Sequence, residues 1–238
     1  MALIAPALLS ADFSCLAEAL GVIKAAGGSM VHVDVMDGHF VPDITVGQPV
    51  IASLRRATDL SLDIHLLVER PERYVADFVD AGAERISIHP EATPDLHRAL
   101  DLVRRKGAKV GVALNPATPV ESLSDAFGEL DCLTVLTADA GNRERAFIPA
   151  AVQKVRRAFR LREDRGLDFA LQVEGGVDFQ NFEELVRAGA DILVVGSAIF
   201  HSDNPKARLT ELMRLAASAK QISRVRRARL GGCKIEQG

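Results

Sequence analysis

Eight short runs rich in β-branched and aliphatic residues recur along the chain, and longer stretches with apolar residues three and four positions apart separate them. The runs are 4–8, 31–35, 62–66, 85–89, 109–114, 132–136, 169–173 and 192–195. The intervening pattern is helical. Leu16, Leu20 and Ile23 follow Asp12-Phe-Ser14, and Tyr74, Phe78 and Val79 follow Pro71, a residue suited to a first helical turn. Strands joined through helices run parallel. Eight such units are the number that closes a (β/α)₈ TIM barrel, and 238 residues suit one domain of that kind. An open doubly wound sheet is the alternative, but its G-x-G-x-x-G turn is absent after the first run, where Ser10-Ala-Asp-Phe13 stands.

Glycines mark where the helices stop: Gly27-Gly28, Gly82, Gly107, Gly166 and Gly189 each precede a run. Three of these junctions are alike, Asp80-Ala-Gly-Ala83, Arg104-Arg-Lys-Gly-Ala108 and Arg187-Ala-Gly-Ala190. One recurring helix-to-strand turn accounts for them without an internal repeat. The barrel is expected over 1–217. A basic tail follows over 218–238, where Lys220, Arg224, Arg226, Arg227, Arg229 and Lys234 face only Glu236, and it is expected to be solvated and partly disordered.

Composition removes several functions. A hydrophobic fraction of 48% with 26% charged residues is globular, not fibrous or disordered. The net charge of −3 gives no whole-protein basic footprint for nucleic acid, and no Trp with a single Tyr leaves base-stacking platforms or an aromatic carbohydrate cleft poorly supplied. No apolar run reaches the roughly 18 residues of a membrane span. Cys15, Cys132 and Cys233 are odd in number and far apart, so neither a disulfide framework nor a thiolate zinc site is expected, and the cytoplasm is the expected compartment.

In a barrel the reacting groups come from the C-terminal ends of strands. The second run reads His32-Val-Asp34, and alternation puts both polar side chains on one face with Val31, Val33 and Val35 on the other. The third ends Leu62-Asp-Ile-His65, the fourth Ser87-Ile-His89, and the seventh Val173-Glu174-Gly175-Gly176. Each alone is an ordinary strand end. Together His32, Asp34, His65 and Glu174 bring two imidazoles and two carboxylates to one mouth, a set that suits zinc or another divalent first-row metal. His39 and His97 read as structural or surface residues, and His89 and His201 receive no role. Gly175-Gly176 after the seventh run and Gly196-Ser197 after the eighth are where such barrels present backbone N–H groups to a phosphate.

The motifs resemble those of the ribulose-phosphate 3-epimerase family over nearly the whole chain to about Ser218. They are Ile4-Ala-Pro-Ala-Leu-Leu-Ser-Ala-Asp12, His32-Val-Asp-Val-Met-Asp-Gly-His-Phe-Val-Pro42, Leu62-Asp-Ile-His-Leu66, Leu114-Asn-Pro-Ala-Thr-Pro119 and Val195-Gly-Ser-Ala-Ile-Phe200. The resemblance implies a ribulose-phosphate-binding barrel, one divalent metal and inversion of the carbon beside the ketone of a ketose phosphate. Position by position, His32, Asp34 and His65 match metal ligands and Asp34 one of two acid/base carboxylates. Ser10 and His65 match substrate contacts, and Gly176, Gly196 and Ser197 match phosphate contacts. Glu174 stands at the fourth ligand and second acid/base, where the family motif has Asp. Zinc is the expected metal, with iron, manganese or cobalt as alternatives, and a homo-oligomer is expected.

Three more departures accompany Glu174. The family's glycine-rich lid NPGFGGQ is Asp139-Ala-Gly-Asn-Arg-Glu-Arg145 here, so Arg143 or Arg145 would have to replace its phosphate contacts. Leu67 and Leu136 replace two capping methionines while Met36 remains, and Asp43 replaces an Asn. Three functions are therefore weighed: an epimerase of ribulose 5-phosphate/xylulose 5-phosphate or a related ketose phosphate, a catalytically silent barrel that binds a ligand, and a barrel lyase such as a decarboxylase. The absence of a lysine beside Asp34 counts against the last.

Overall fold

The structure is a computed structural model that describes residues 2–141 and 146–231, with side chains described to Ala219. Eight parallel strands follow one another round a barrel: β1 (Leu3–Pro6), β2 (Met30–Met36), β3 (Ser61–Leu67), β4 (Arg85–Ile88), β5 (Lys109–Leu114), β6 (Cys132–Leu136), β7 (Ala170–Glu174) and β8 (Ile192–Val195). The continuous ladder runs from β1 through β8 back to β2, and a parallel bridge between Ala7 and His32 closes the ring. All eight predicted strands are present, with ends within two residues of the sequence reading.

Helices α1 (Leu16–Ala25), α2 (Gln48–Ala57), α3 (Val75–Asp80), α4 (Leu96–Arg105), α5 (Ala151–Arg165), α6 (Phe182–Ala188), α7 (Ser197–Phe200) and α8 (Pro205–Gly231) fill the connections. The crossover from β5 to β6 departs from the expected α-helix. It consists of 3₁₀ turns, Val120–Leu123 and Phe127–Glu129, because Pro116, Pro119 and Gly128 leave no uninterrupted helical stretch. The predicted helix-ending glycines hold: Gly27, Gly82, Gly107, Gly166 and Gly189 all have positive φ. At Gly166 (φ +62°) its N–H donates to Glu163 O and Leu167 N–H to Arg162 O, closing the end of α5. The backbone of α8 continues past residue 217 to Gly231, and the rest of the basic segment lies outside the described residues.

Strand alternation divides the core in two. Outward-facing Val31, Val33, Leu62, Ile64, Ile86 and Ile88 are buried against the helices, each contributing roughly 1.5–3 kcal/mol of apolar burial. The inward positions of β2, β3, β4 and β7 carry His32, Asp34, Asp63, His65, Arg85, Ser87, Gln172 and Glu174, all buried. The barrel's interior on that side is therefore polar, and the strands aim it towards one rim.

Candidate active site

Strand register explains how four distant residues meet. Asp34 pairs with His65 across β2 and β3, and His32 pairs with Asp63 one layer below. Glu174 is the last residue of β7 and reaches across the mouth. Ligand atoms of His32, Asp34, His65 and Glu174 all lie within 4.8 Å of one another, and all four residues are buried. His32 Nε2 is 3.3 Å from both Asp34 Oδ1 and Glu174 Oε2, and His65 Nδ1 is 3.1 Å from the same two oxygens. The four predicted ligands are thus together, and the two histidines turn different nitrogens inward.

Electrostatics shows what such a group demands. Burial works against a charged His65, yet Glu174 and Asp34 outweigh it and carry the imidazole up to about 9. His32 is likewise raised against burial by Glu174, Asp63 and Asp34. Burial and Asp34 push the Glu174 carboxyl up, and the two imidazoles bring it below the ordinary carboxylate range. Glu174 Oε2 lacks a hydrogen bond of good geometry although two imidazole nitrogens face it. Two carboxylates and two nitrogens converging in a buried space call for positive charge, and the nitrogen–oxygen donor set fits a divalent cation.

Beneath the cluster lies a network that the sequence reading missed. Asp63 Oδ2 accepts from His32 Nδ1 at 2.7 Å and from Gln172 Nε2 at 3.1 Å, and Asp63 Oδ1 accepts from Arg85 Nε at 2.7 Å. Arg85 Nη2 also donates to Gln172 Oε1 at 2.6 Å. Burial raises the Asp63 carboxyl, but Arg85 and His32 more than reverse this and leave it far below the carboxylate range. An ionised Asp63 accepts only, so the neutral ring of His32 would hold its proton on Nδ1 and have the Nε2 lone pair to give to a cation in the cluster. Alternation puts Asp63 on the same inward face as His65, two residues before it, but does not tell which groups it meets across the barrel.

Beside the cluster opens a cavity of about 390 Å³, lined among others by Ser10, Asp43, Glu174, Gly176, Gly196, Ser197 and His201. Four of the five residues expected to touch substrate or phosphate, Ser10, Gly176, Gly196 and Ser197, line this cavity, and the fifth, His65, sits in the cluster beside it. A Cβ on Gly196 would stand against Ser10 Oγ, so glycine there leaves room for the Ser10 hydroxyl where the first and last strand loops approach. Gly175 has φ +108°, and a Cβ there would stand 2.7 Å from Ala138 N, so it turns the chain immediately after Glu174. Thr137 Oγ1 fastens that turn by donating to Glu174 O at 2.9 Å and Gly175 O at 2.5 Å. Met36, Val41 and Leu67 form an apolar cluster with Leu9, Phe40 and Ala140, and Leu136 lines a small cleft with His65 and Glu174. Arg143 and Arg145 lie outside the described residues.

The other histidines differ in place. His39 is exposed in the loop after β2, where its N–H donates to Asp37, and His97 is exposed on α4 beside Glu129. His201 borders the cavity. His89 is buried, with Nε2 2.9 Å from His65 Nε2.

The fold and this mouth define a (β/α)₈ barrel of the TIM type. Its backbone is similar to a thiamine phosphate pyrophosphorylase from Pyrococcus furiosus, with TM-score 0.64 and 14% identity over 92% of this chain and 96% of that one. It is also similar to the structure titled KGPDC from Streptococcus mutans, with TM-score 0.63 and 14% identity over 93% and 98%. These likenesses establish the fold. The model of the ribulose-phosphate 3 epimerase family matches residues 3–200. A ribulose-phosphate 3-epimerase of Bacillus subtilis is 39% identical over 88% of this chain and 97% of its own, and one of Treponema pallidum is 43% identical over 83% and 90%. One from Escherichia coli K12 is 41% identical over 88% and 94%. The chain belongs to the ribulose-phosphate 3-epimerase family and is an isomerase.

Proposed function

We propose that this enzyme inverts the carbon adjacent to the ketone of a ketose phosphate, interconverting ribulose 5-phosphate and xylulose 5-phosphate or a related pair. The carrying observation is the meeting of Asp34 and Glu174, from opposite sides of the barrel mouth, in one buried cluster beside the cavity. Epimerisation removes a proton from one face of the carbon and returns one to the other, which requires two acid/base groups flanking a flat enediolate. Asp34 and Glu174 fill these roles and exchange them with the direction of reaction. His32, Asp34, His65 and Glu174 hold one divalent metal; zinc suits the donor set best, with iron, manganese or cobalt as alternatives. When bound, that metal supplies stabilisation of the enediolate charge, an effect worth several kcal/mol.

The chain's own groups do the rest. Ser10, Gly176, Gly196 and Ser197 receive the substrate, with the phosphate against the glycine-lined end of the cavity, where the lack of side chains lets an anion approach the backbone. The apolar cluster of Met36, Val41 and Leu67 keeps water from the reacting carbon. Glu174 supports a working site over a silent one, since its longer side chain is turned into the cluster beside both imidazoles.

The test is solvent isotope exchange. Metal-replete protein incubated with ribulose 5-phosphate in D₂O is expected to place deuterium at the carbon beside the ketone. Hexulose 6-phosphates tested in parallel define the substrate. No incorporation with any ketose phosphate overturns the reading in favour of a silent, ligand-binding barrel.

A further inference from the structure

His32 has its inner nitrogen freed by a carboxylate directly behind it. Among the described residues the atom facing the outer nitrogen of His65, Nε2, is not a carboxylate oxygen but another imidazole nitrogen, His89 Nε2 at 2.9 Å. One proton has to sit between two such nitrogens for a hydrogen bond to exist, and its location decides which His65 nitrogen keeps a lone pair. The answer lies one residue further out. His89 Nδ1 is 3.3 Å from Glu91 Oε2, and an ionised carboxylate accepts only. Glu91 is itself pinned, its Oε1 accepting from Asn115 N at 3.2 Å and from Thr118 Oγ1. Lys154 Nζ from α5 holds the same loop by donating to Asn115 O and Pro116 O, both at 2.7 Å.

We propose that His89 and Glu91 are positioning residues that fix His65 in the tautomer able to ligate a metal. Glu91 accepts a hydrogen bond from His89 Nδ1–H, so the neutral ring of His89 is an acceptor at Nε2. His65 then donates from Nε2 and presents an unprotonated Nδ1, the atom 3.1 Å from Asp34 Oδ1 and Glu174 Oε2. The ring of His89 cannot drift from this task. It lies end to end with the His65 ring, centroids 5.0 Å apart, and tilts against Phe40 at 4.9 Å. Pro90 opens the 3₁₀ turn Pro90–Ala92, which brings Glu91 back onto His89. The cluster thus has two carboxylate supports, one direct to His32 and one relayed through a second imidazole to His65. Outer-shell partners of this kind typically carry about 10–100-fold in metal affinity.

The inference rests on the metal reading above, and its test uses zinc alone as the probe. In zinc-loaded wild-type protein, long-range ¹H–¹⁵N correlation spectra of the histidine rings are expected to show His89 protonated at Nδ1 and bare at Nε2. A proton on His89 Nε2 overturns the proposal without any mutation. By competition with a chromophoric chelator, His89→Leu is expected to bind zinc about 10–100-fold more weakly. His89→Gln, whose amide oxygen still accepts from His65, is expected to stay within about threefold of wild type, and Glu91→Gln to lose up to about tenfold. Wild-type affinity in both His89→Leu and Glu91→Gln refutes the positioning role while leaving the metal reading intact. A wild-type protein that takes up no zinc, iron, manganese or cobalt refutes both.

Discussion

Glu174 meets His32 and His65 on a stem one methylene longer than the aspartate of the family motif, so the length of that stem is built into the spacing of the mouth. Glu174→Asp is therefore expected to retain the fold and lower turnover on the order of 100-fold, because a displacement of about 1 Å suffices for that. Coupled assay of kcat in both directions checks it. Asp34→Asn removes one of the two proposed proton carriers and is expected to lower solvent deuterium incorporation by about 10²–10⁴-fold. Glu91 makes a different statement, about stability. Burial raises its carboxyl, but His89 and Thr118 bring it down to about 2. A carboxyl depressed on folding stabilises the native state above its unfolded value near 4.5 and loses that contribution as pH falls towards 2. Glu91→Gln is thus expected to be less stable than wild type at pH 7, on the order of 1 kcal/mol after allowing for solvent screening, with the gap closing on acidification. Urea midpoints measured across that range show the convergence.

The strands carry most of what the sequence disclosed. Parallel strands with polar residues at alternate positions near their ends were legible because a period of two survives any packing, so His32 with Asp34 and His65 could be placed from spacing alone. The β5-to-β6 crossover was not, since apolar spacing suggests a helix while Pro119 and Gly128 set the backbone. Asp63, Arg85 and Gln172 were missed for another reason. Their meaning lies in cross-barrel contacts, and a polar residue in mid-strand has no local pattern that announces its partner. His89 was left without a role on the same ground, and only the geometry joins it to His65. Asp63→Leu strands the Arg85 charge between β3, β4 and β7 and is expected to cost about 3–5 kcal/mol by denaturant unfolding. In the β7 loop, Gly175→Ala combines a left-handed φ with a collision at Ala138 N and is expected to cost on the order of 1–3 kcal/mol. It should also lower turnover, since the same turn carries Glu174.

On the proposed reading the molecule would bind its cation only when β2, β3 and β7 are assembled, because the four candidate ligands are spread over those strands. Metal affinity is then folding energy. At a free metal concentration 100 times the dissociation constant, stabilisation is about 2.7 kcal/mol, which for a domain of this size is roughly 5–11 °C in Tm. Chelator treatment is expected to lower the melting temperature by that amount, and zinc to restore it. None of the helices among the described residues is long and apolar enough to cross a membrane. The buried layer of Asp63, Arg85 and Gln172 under the ligands has a further consequence. It forms a floor one layer below the cluster, so on the proposed reading a sugar would enter and leave at the rim where the strands end. A bulky, unreactive ketose phosphate lodged there should obstruct the forward and reverse conversions alike, with competitive kinetics against either epimer.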